Sequence, residues 1–287
     1  MKTGKKMNIS DIYQHKKGPV LSVELSPKDI NLPANQVLSE ALTSRWIDYV
    51  SVTYGAGGSE ASYFDKGHLP IQIPILQHLT SIKQTKDTLP NTLEKIKQLG
   101  VNNILAMRGD SHHIAYQKTD FPYAKSLIKA IDEEKYFNIG AVINPLDFQQ
   151  NSDKELAINR VLEKVESGAS FFISQFFFDN DIFFNMQNIL EQKNINIPIS
   201  VGIMPITSLA HLNRMQLIAD VTLPQNLIEL CQKYENQPND FQKAGFEFTI
   251  AQVNDLLNAG VDGIHLFSLN SASALLSTVH SEIEKRQ

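Results

Sequence analysis

Cysteine is almost absent from this sequence: Cys231 is the only one among 287 residues. A single cysteine cannot form an intramolecular disulfide, so a disulfide-stapled secreted scaffold and a cysteine-based zinc site are excluded. Long apolar runs are also missing, since none approaches the roughly 18 residues that a membrane span requires. Residues 1–17 are polar and lysine-rich, with no apolar block after them. We therefore expect a cytoplasmic protein without a membrane anchor.

An excess of positive charge is lacking too. The chain has 26 Lys and Arg against 31 Asp and Glu, and its formal net charge is −5 at pH 7. Surfaces that bind nucleic acids are strongly basic, so no nucleic-acid partner is expected. No linker rich in Pro, Gly or Ser divides the chain, which favours one large domain over two ordinary ones.

Short apolar segments rich in β-branched residues recur along the chain, and most are followed by a helix-like stretch. This rhythm is typical of βα units that build a parallel sheet. Three of the helices end at Gly100, Gly168 and Gly260, and each leads directly into the next strand. Eight strands predict a single (β/α)8 barrel of the TIM type with parallel strands. The predicted strands cover residues 20–25, 49–54, 73–78, 103–107, 138–143, 170–175, 199–204 and 263–267.

Two stretches fit this repeat less well. Residues 55–70 should contain the second helix, but their glycines predict a short one. Residues 225–241 are predicted to form an extra helix and a polar loop, NQPND, inserted between the seventh strand and the last helix. The predicted organisation is a polar basic N-terminal tail at 1–17 and a barrel catalytic domain at 18–287.

Most predicted strands end in residues that can do chemistry, and in a parallel barrel these ends meet at one mouth. Taken alone, each residue has a structural explanation. Glu24 could be a solvated strand end or a paired carboxylate, and His78 could be a hydrogen-bonded core histidine. Arg108 and Asp110 could form an ion pair. Their joint occurrence at one mouth favours an active site. The polar strand ends are Glu24, Thr53, Tyr54, His78, Arg108, Gly109, Asp110, Asn144, Gln175 and Asn270.

Seven short segments around these strand ends form an ordered set. Their order and spacing resemble the methylenetetrahydrofolate reductase family of flavin-dependent barrels, over about residues 20–270. Any one segment is weak, whereas the set is specific. The segments are VELSP at Glu24, VSVTYGAGG at Thr53, QHLT at His78, AMRGD ending at Asp110, ISQFFFD at Gln175, GIMPI at Met204 and LFSLN at Asn270.

The resemblance implies reduction of 5,10-methylenetetrahydrofolate to 5-methyltetrahydrofolate by NADH or NADPH through bound FAD. The folate must first open to an iminium, which requires protonation at N10. Glu24 matches the acid, and a carboxyl at the end of an apolar strand suits that role because desolvation raises its pKa. Asp110 matches an aspartate near the flavin that also contacts the pterin. Gln175 matches a glutamine that contacts folate and nicotinamide, which makes Glu24, Asp110 and Gln175 the expected catalytic residues.

The resemblance also implies two binding sets. Substrate contacts are expected, besides Asp110 and Gln175, at His211, Met215 and Ser271. Cofactor contacts are expected at Thr53, Tyr54, Ala56, His78, Arg108, Gly109, Asp110, Ala124, Asn144, Arg160 and Lys164.

The sequence departs from the best-known bacterial members at several of these positions. A tyrosine and a histidine that contact the flavin after the fifth strand are replaced in the segment 144–148, NPLDF, a form similar to a branch fused to a homocysteine methyltransferase domain. The basic pair expected at the FAD pyrophosphate is Glu163 and Lys164, and Arg160 could restore the second cation. The expected folate-binding arginine is Ser271, while His211 and Met215 stand for a glutamine and a phenylalanine.

Two alternatives stay open from the residues. A barrel without flavin could pass hydride directly from nicotinamide to folate, which the altered pyrophosphate contacts favour. A partner protein that binds flavin or folate without turnover would be expected to have lost the acid, yet Glu24 is present. No metal site is expected, since the adjacent His112 and His113 rarely ligate one ion. We expect a homo-oligomer with small-molecule partners.

Overall fold

A computed structural model describes residues 7–27, 40–41, 43–54, 73–109, 119–150, 153–267 and 273–286. Eight parallel strands form a closed barrel in the order β1 to β8, which confirms the predicted (β/α)8 architecture. The second strand ends two residues earlier than predicted, and the third begins and ends two residues later. The strands are β1 (Val20–Leu25), β2 (Tyr49–Val52), β3 (Ile75–Thr80), β4 (Asn103–Met107), β5 (Asn138–Ile143), β6 (Ala169–Ser174), β7 (Ile199–Ile203) and β8 (Gly263–Leu266).

Helices surround the barrel. Their apolar faces pack on the outer face of the sheet, where alternate strand residues such as Leu21 and Val23 point. The helices are α1 (Ile9–His15), α2 (Leu89–Gln98), α3 (Ala124–Asp132), α4 (Lys154–Glu166), α5 (Asn180–Gln192), α6 (Leu209–Ala219), α7 (Gln225–Lys233), α8 (Pro238–Asn258) and α9 (Ser273–Glu284).

Three helices, α6 to α8, connect β7 to β8. The predicted loop NQPND is mostly helical, because Pro238 occupies the first turn of α8, where its missing N–H group is tolerated. The three helices share a small apolar cluster that includes Leu212, Leu227 and Phe241. This cluster extends the core beyond the barrel on one side of the mouth.

A helix also lies within the predicted N-terminal tail. The backbone N–H of Ile9 donates to Asn103 Oδ1 at 3.0 Å, and that of Ser10 donates to Asn138 Oδ1 at 3.1 Å. These two asparagines begin β4 and β5, so α1 covers the end of the barrel opposite the mouth. The free N–H groups at the start of a helix are thereby satisfied by the barrel itself.

None of the helices within the described residues is long and apolar enough to cross a membrane.

Candidate functional site

Glu24 lies inside the barrel near the C-terminal end of β1, on the strand face that points into the lumen. Its side chain keeps 19% of its exposure, so it is open to the mouth but largely removed from water. Burial raises the pKa of the Glu24 carboxyl from 4.5 to about 7. A substantial fraction of this group therefore remains protonated at neutral pH, which is the state a general acid needs.

His78, on a lumen position of β3, is a titratable group close to this carboxyl. Its Nε2 atom lies 4.0 Å from Glu24 Oε2 and hydrogen-bonds to the hydroxyl of Ser51. Burial lowers the pKa of His78 from 6.5 to about 3. The distance alone suggests an ion pair. Between about pH 3 and pH 7, however, both groups are neutral, so the contact is between two uncharged dipoles.

A second buried histidine lies deeper in the lumen. His265 on β8 is fully buried, and its Nδ1 atom lies 2.8 Å from Ser22 Oγ on β1. Burial, with a smaller contribution from His78, lowers the pKa of His265 to about 3. Ser22 precedes Glu24 by two residues on the same strand face, so this pair forms the polar layer beneath the acid.

The loop after β4 is fixed against the loop after β3. The carbonyl oxygen of Arg108 accepts hydrogen bonds from the Ile82 backbone and the Ser81 hydroxyl, both at 3.2 Å. Gly109 follows with a φ of +89°, a conformation that favours glycine. The exposed side chain of Arg108 is therefore carried at the mouth by a fixed turn.

Two cations and a carboxylate gather beyond the end of β5. Lys164 on α4 donates to the Val142 carbonyl oxygen at 2.7 Å, and burial lowers the pKa of its ammonium group. Arg160, one helical turn earlier, has its Nη1 atom 3.6 Å from Asp147 Oδ2. Asn144 donates to Asp147 Oδ1 at 3.1 Å. The predicted pair of cations is therefore brought together, but with an acidic neighbour that the sequence analysis did not assign.

Gln175 lies directly after β6, at the mouth. Its side-chain oxygen accepts a hydrogen bond from the Phe176 backbone at 3.1 Å, and its own backbone N–H donates to Ile143. The side-chain oxygen is thus held in place. Thr53 and Tyr54 follow β2 and are buried.

Two predicted contacts lie at helix starts on the rim, and a third lies further along one of these helices. Ala124 is the first residue of α3. His211 is in the first turn of α6, where Ser208 Oγ caps its backbone N–H, and burial lowers the pKa of its imidazole. Met215 is half-buried and packs on the apolar cluster of α6 to α8, which places it one turn further from the mouth.

Three predicted site residues, Ala56, Asp110 and Ser271, lie outside the described residues. The predicted short helix at 55–70 lies outside them as well.

The sequence analysis missed the polar lining of the lumen. Ser22, Ser51 and His265 are not among its candidate site residues. A usable signal was present, because Ser22 and Glu24, like Ser51 and Thr53, alternate with apolar residues at the period of a strand. Polar residues at lumen positions of several strands, beside the apolar cluster of Val20, Leu76 and Phe171, indicate more than packing.

Comparison with known proteins gives one family. Residues 8–282 match the family model described as methylenetetrahydrofolate reductase. Methylenetetrahydrofolate reductase 2 of Schizosaccharomyces pombe is 30% identical over 248 residues, which cover 77% of this chain and 38% of the relative. The 5,10-methylenetetrahydrofolate reductase of Buchnera aphidicola subsp. Schizaphis graminum is 26% identical over 234 residues, 80% of either chain. The chain thus spans about two fifths of the yeast relative.

Two further similarities complete the comparison. Methylenetetrahydrofolate reductase (NADH) 1 of Arabidopsis thaliana is 27% identical over 252 residues, which cover 80% of this chain and 42% of the relative. An uncharacterised protein from Clostridium thermocellum that binds two copies of 5-methyl-5,6,7,8-tetrahydrofolic acid has a similar structure. Its TM-score is 0.66 at 14% identity, with 97% of this chain and 100% of that chain covered. At that identity the likeness shows the fold alone.

Proposed function

The chain belongs to the methylenetetrahydrofolate reductase family, and from this membership we propose that it reduces 5,10-methylenetetrahydrofolate to 5-methyltetrahydrofolate with NADH or NADPH. The observation that carries the proposal is the state of Glu24. A carboxyl with a pKa of about 7 at the mouth of a barrel is poised to give a proton near neutral pH.

The proton has a defined destination. Methylenetetrahydrofolate accepts hydride only after its five-membered ring opens, and ring opening requires a proton on N10. Glu24 supplies that proton, and the bond between N10 and the bridging carbon breaks with its electron pair going to N10. The neutral imidazole of His78 next to Glu24 favours the protonated acid, because an imidazolium in its place would stabilise the carboxylate.

FAD is the proposed cofactor, and several described residues fit it. Lys164 and Arg160 would hold the pyrophosphate, because two cations one helical turn apart suit a dianion. The hydroxyl of Thr80 is buried at the end of β3 and has no hydrogen-bond partner among the described residues, so it suits a polar edge of the ring system. When bound, FAD supplies the carrier of hydride between the nicotinamide and the folate.

The remaining site residues have positioning roles in this proposal. Gln175 presents its amide at the mouth, where it would contact folate and nicotinamide in turn. Arg108 would contact the flavin from the fixed turn at Gly109. His211 and Met215, on α6, would line the path of the folate tail.

The relatives support the substrates. The Arabidopsis relative is named as an NADH enzyme, and the Clostridium protein binds a methylated folate. The test is anaerobic mixing of the purified protein with NADH or NADPH, followed by methylenetetrahydrofolate. Formation of 5-methyltetrahydrofolate with either nucleotide is the expected result, and its absence with both contradicts the proposal.

A second candidate function is the same reduction without a flavin. The observation in its favour is the Asp147 carboxylate, 3.6 Å from Arg160, because a negative charge there repels a pyrophosphate. The absorption spectrum of the purified protein separates the two. Flavin bands that remain after gel filtration support FAD, whereas a colourless protein that still forms 5-methyltetrahydrofolate supports direct hydride transfer.

A further inference from the structure

His265 has a buried ring nitrogen without a hydrogen-bond partner in the part of the chain that the structure describes. Its imidazole is fully buried in the barrel lumen, with the ring of Phe267 perpendicular to it at 4.9 Å. The unpartnered atom is Nε2. A buried polar atom without a partner costs about 1–3 kcal/mol, so retaining one points to a bound species.

The hydrogen bond at the other ring nitrogen leaves two roles open for Nε2. Ser22 Oγ lies 2.8 Å from His265 Nδ1, and the Ser22 hydroxyl also hydrogen-bonds to the hydroxyl of Tyr49. Either ring nitrogen of the neutral imidazole can therefore carry the proton. In both tautomers Nε2 can bind a water molecule, as a donor in one and as an acceptor in the other.

The strand register defines where His265 Nε2 lies in the lumen. Ser22 pairs with His265 across the β1–β8 ladder, and Glu24 lies two residues further along β1 on the same face. Two residues of a strand span about 7 Å, which leaves room for one water molecule between polar groups at the two levels. Within the described residues, the titratable groups that share the lumen with Glu24 are His78 on β3, Tyr49 on β2, Tyr13 on α1 and His265 on β8.

We propose that Nε2 of His265 holds a water molecule in the lumen beneath Glu24, and that this water donates to the carboxyl group and fixes its orientation toward the mouth. His265 is then a positioning residue for the acid. This positioning role rests on the proposed function. The water bridge between His265 and Glu24 does not itself depend on turnover.

Infrared spectroscopy of the Glu24 carboxyl tests the bridge. The difference between the spectra of the wild type and Glu24→Gln isolates the C=O band of this one group, which can be followed over pH. His265→Asn keeps a polar partner for Ser22 but removes the Nε2 position. We expect the C=O band to move to higher wavenumber and its titration midpoint to rise by about half a pH unit or more, because a lost donor disfavours the carboxylate.

Two variants serve as controls. His265→Gln places an amide N–H near the position of Nε2 and should restore the wild-type band and midpoint. His15→Gln replaces an exposed histidine of α1 outside the lumen, and it should leave both unchanged. If His265→Asn leaves band and midpoint as in the wild type, the bridge is absent.

A crystal structure of the wild-type protein provides a readout that does not depend on the variants folding. A water within hydrogen-bond distance of both His265 Nε2 and a Glu24 carboxyl oxygen is the expected result, and ordered density without such a water overturns the proposal. Protein that shows the bridge but forms no 5-methyltetrahydrofolate supports the bridge and contradicts the proposed function, so the two failures are distinguishable.

Discussion

Glu24 Oε2 and His78 Nε2 lie 4.0 Å apart inside the barrel, and at neutral pH the pair does not form a salt bridge. Burial raises the pKa of Glu24 to about 7 and lowers the pKa of His78 to about 3. Between these values both groups are neutral, because each loses more from desolvation than it would gain from the other's charge. Burial thus keeps the acid protonated, and the neighbouring histidine stays uncharged.

Replacing the acid should stabilise the fold at high pH. In the unfolded chain Glu24 ionises near its ordinary pKa of 4.5, whereas in the folded protein its pKa is about 7. The neutral form of Glu24 contributes its full stability below pH 4.5, the pKa in the unfolded chain. That contribution is lost as pH rises through about 7, the pKa in the folded protein. The free energy of unfolding thereby falls by about 3 kcal/mol. Glu24→Gln should therefore unfold at higher denaturant concentration than the wild type at about pH 9, with little difference at about pH 4. Equal curves at both pH values would show that Glu24 is not desolvated.

The buried histidines should govern acid unfolding in the opposite direction. The folded pKa of His265 is about 3, below its ordinary 6.5, so folded-state stability falls as pH drops from 6.5 toward 3. His265→Gln removes this term and should move the acid midpoint to lower pH by about half a unit. His15→Gln, at an exposed histidine of α1, is the matched control and should leave the midpoint in place. Acid titration followed by circular dichroism measures both, and identical shifts would contradict the account.

The carboxylate beside the two cations should weaken cofactor binding. Asp147→Asn frees Arg160 from its partner at 3.6 Å, and the FAD dissociation constant is expected to fall several-fold. Lys164→Met should raise that constant by about tenfold or more, because the half-buried ammonium is a less screened charge than the exposed Arg160. Equilibrium dialysis with FAD provides the constants. An unchanged affinity in both variants would place the pyrophosphate elsewhere.

Gly109→Ala should lower the free energy of unfolding by more than backbone strain alone. It has a φ of +89°, and a Cβ atom there would lie 2.8 Å from Ile82 Cδ1 and 3.1 Å from Thr80 Cβ. Gly260 has a φ of +79° with nothing within 4 Å, so Gly260→Ala reports the backbone strain alone. We expect about 1 kcal/mol for Gly260→Ala and about 2–3 kcal/mol for Gly109→Ala in urea unfolding. Equal losses would mean that the loop after β4 yields to the added methyl group.

The barrel and its mouth could be predicted because their signals are local. Strand and helix periods, with glycines such as Gly100 and Gly168 at helix ends, determine eight βα units. Glu24 and Gln175 fall at strand ends because a carboxyl or an amide interrupts an apolar run. The exact strand limits were less predictable, because hydrogen-bond register depends on neighbouring strands, and β3 therefore extends to Thr80 instead of ending at His78.

The remaining features depend on contacts between distant parts of the chain. Ser22 meets His265 across 243 positions, and Tyr13 meets Ser200 across 187. The pairing of Asp147 with Arg160 arises from a loop that lies against a helix. No periodicity encodes such contacts. The alternation of Ser22 and Glu24 with apolar residues indicates a polar strand face, but the hydrogen-bond partners of that face became visible only in the structure. The helix that closes the barrel and the acidic neighbour of the cations became visible only there as well.

The central claim is that Glu24 is the acid of folate reduction and takes no part in the oxidation of the nicotinamide. Anaerobic stopped-flow measurement of the two half-reactions in the wild type and in Glu24→Gln tests it most directly. The account predicts that flavin bleaching by NADH or NADPH proceeds within a few-fold of the wild-type rate, while reoxidation by methylenetetrahydrofolate slows by at least about 100-fold. Equal losses in both half-reactions, or reoxidation at the wild-type rate, would contradict it.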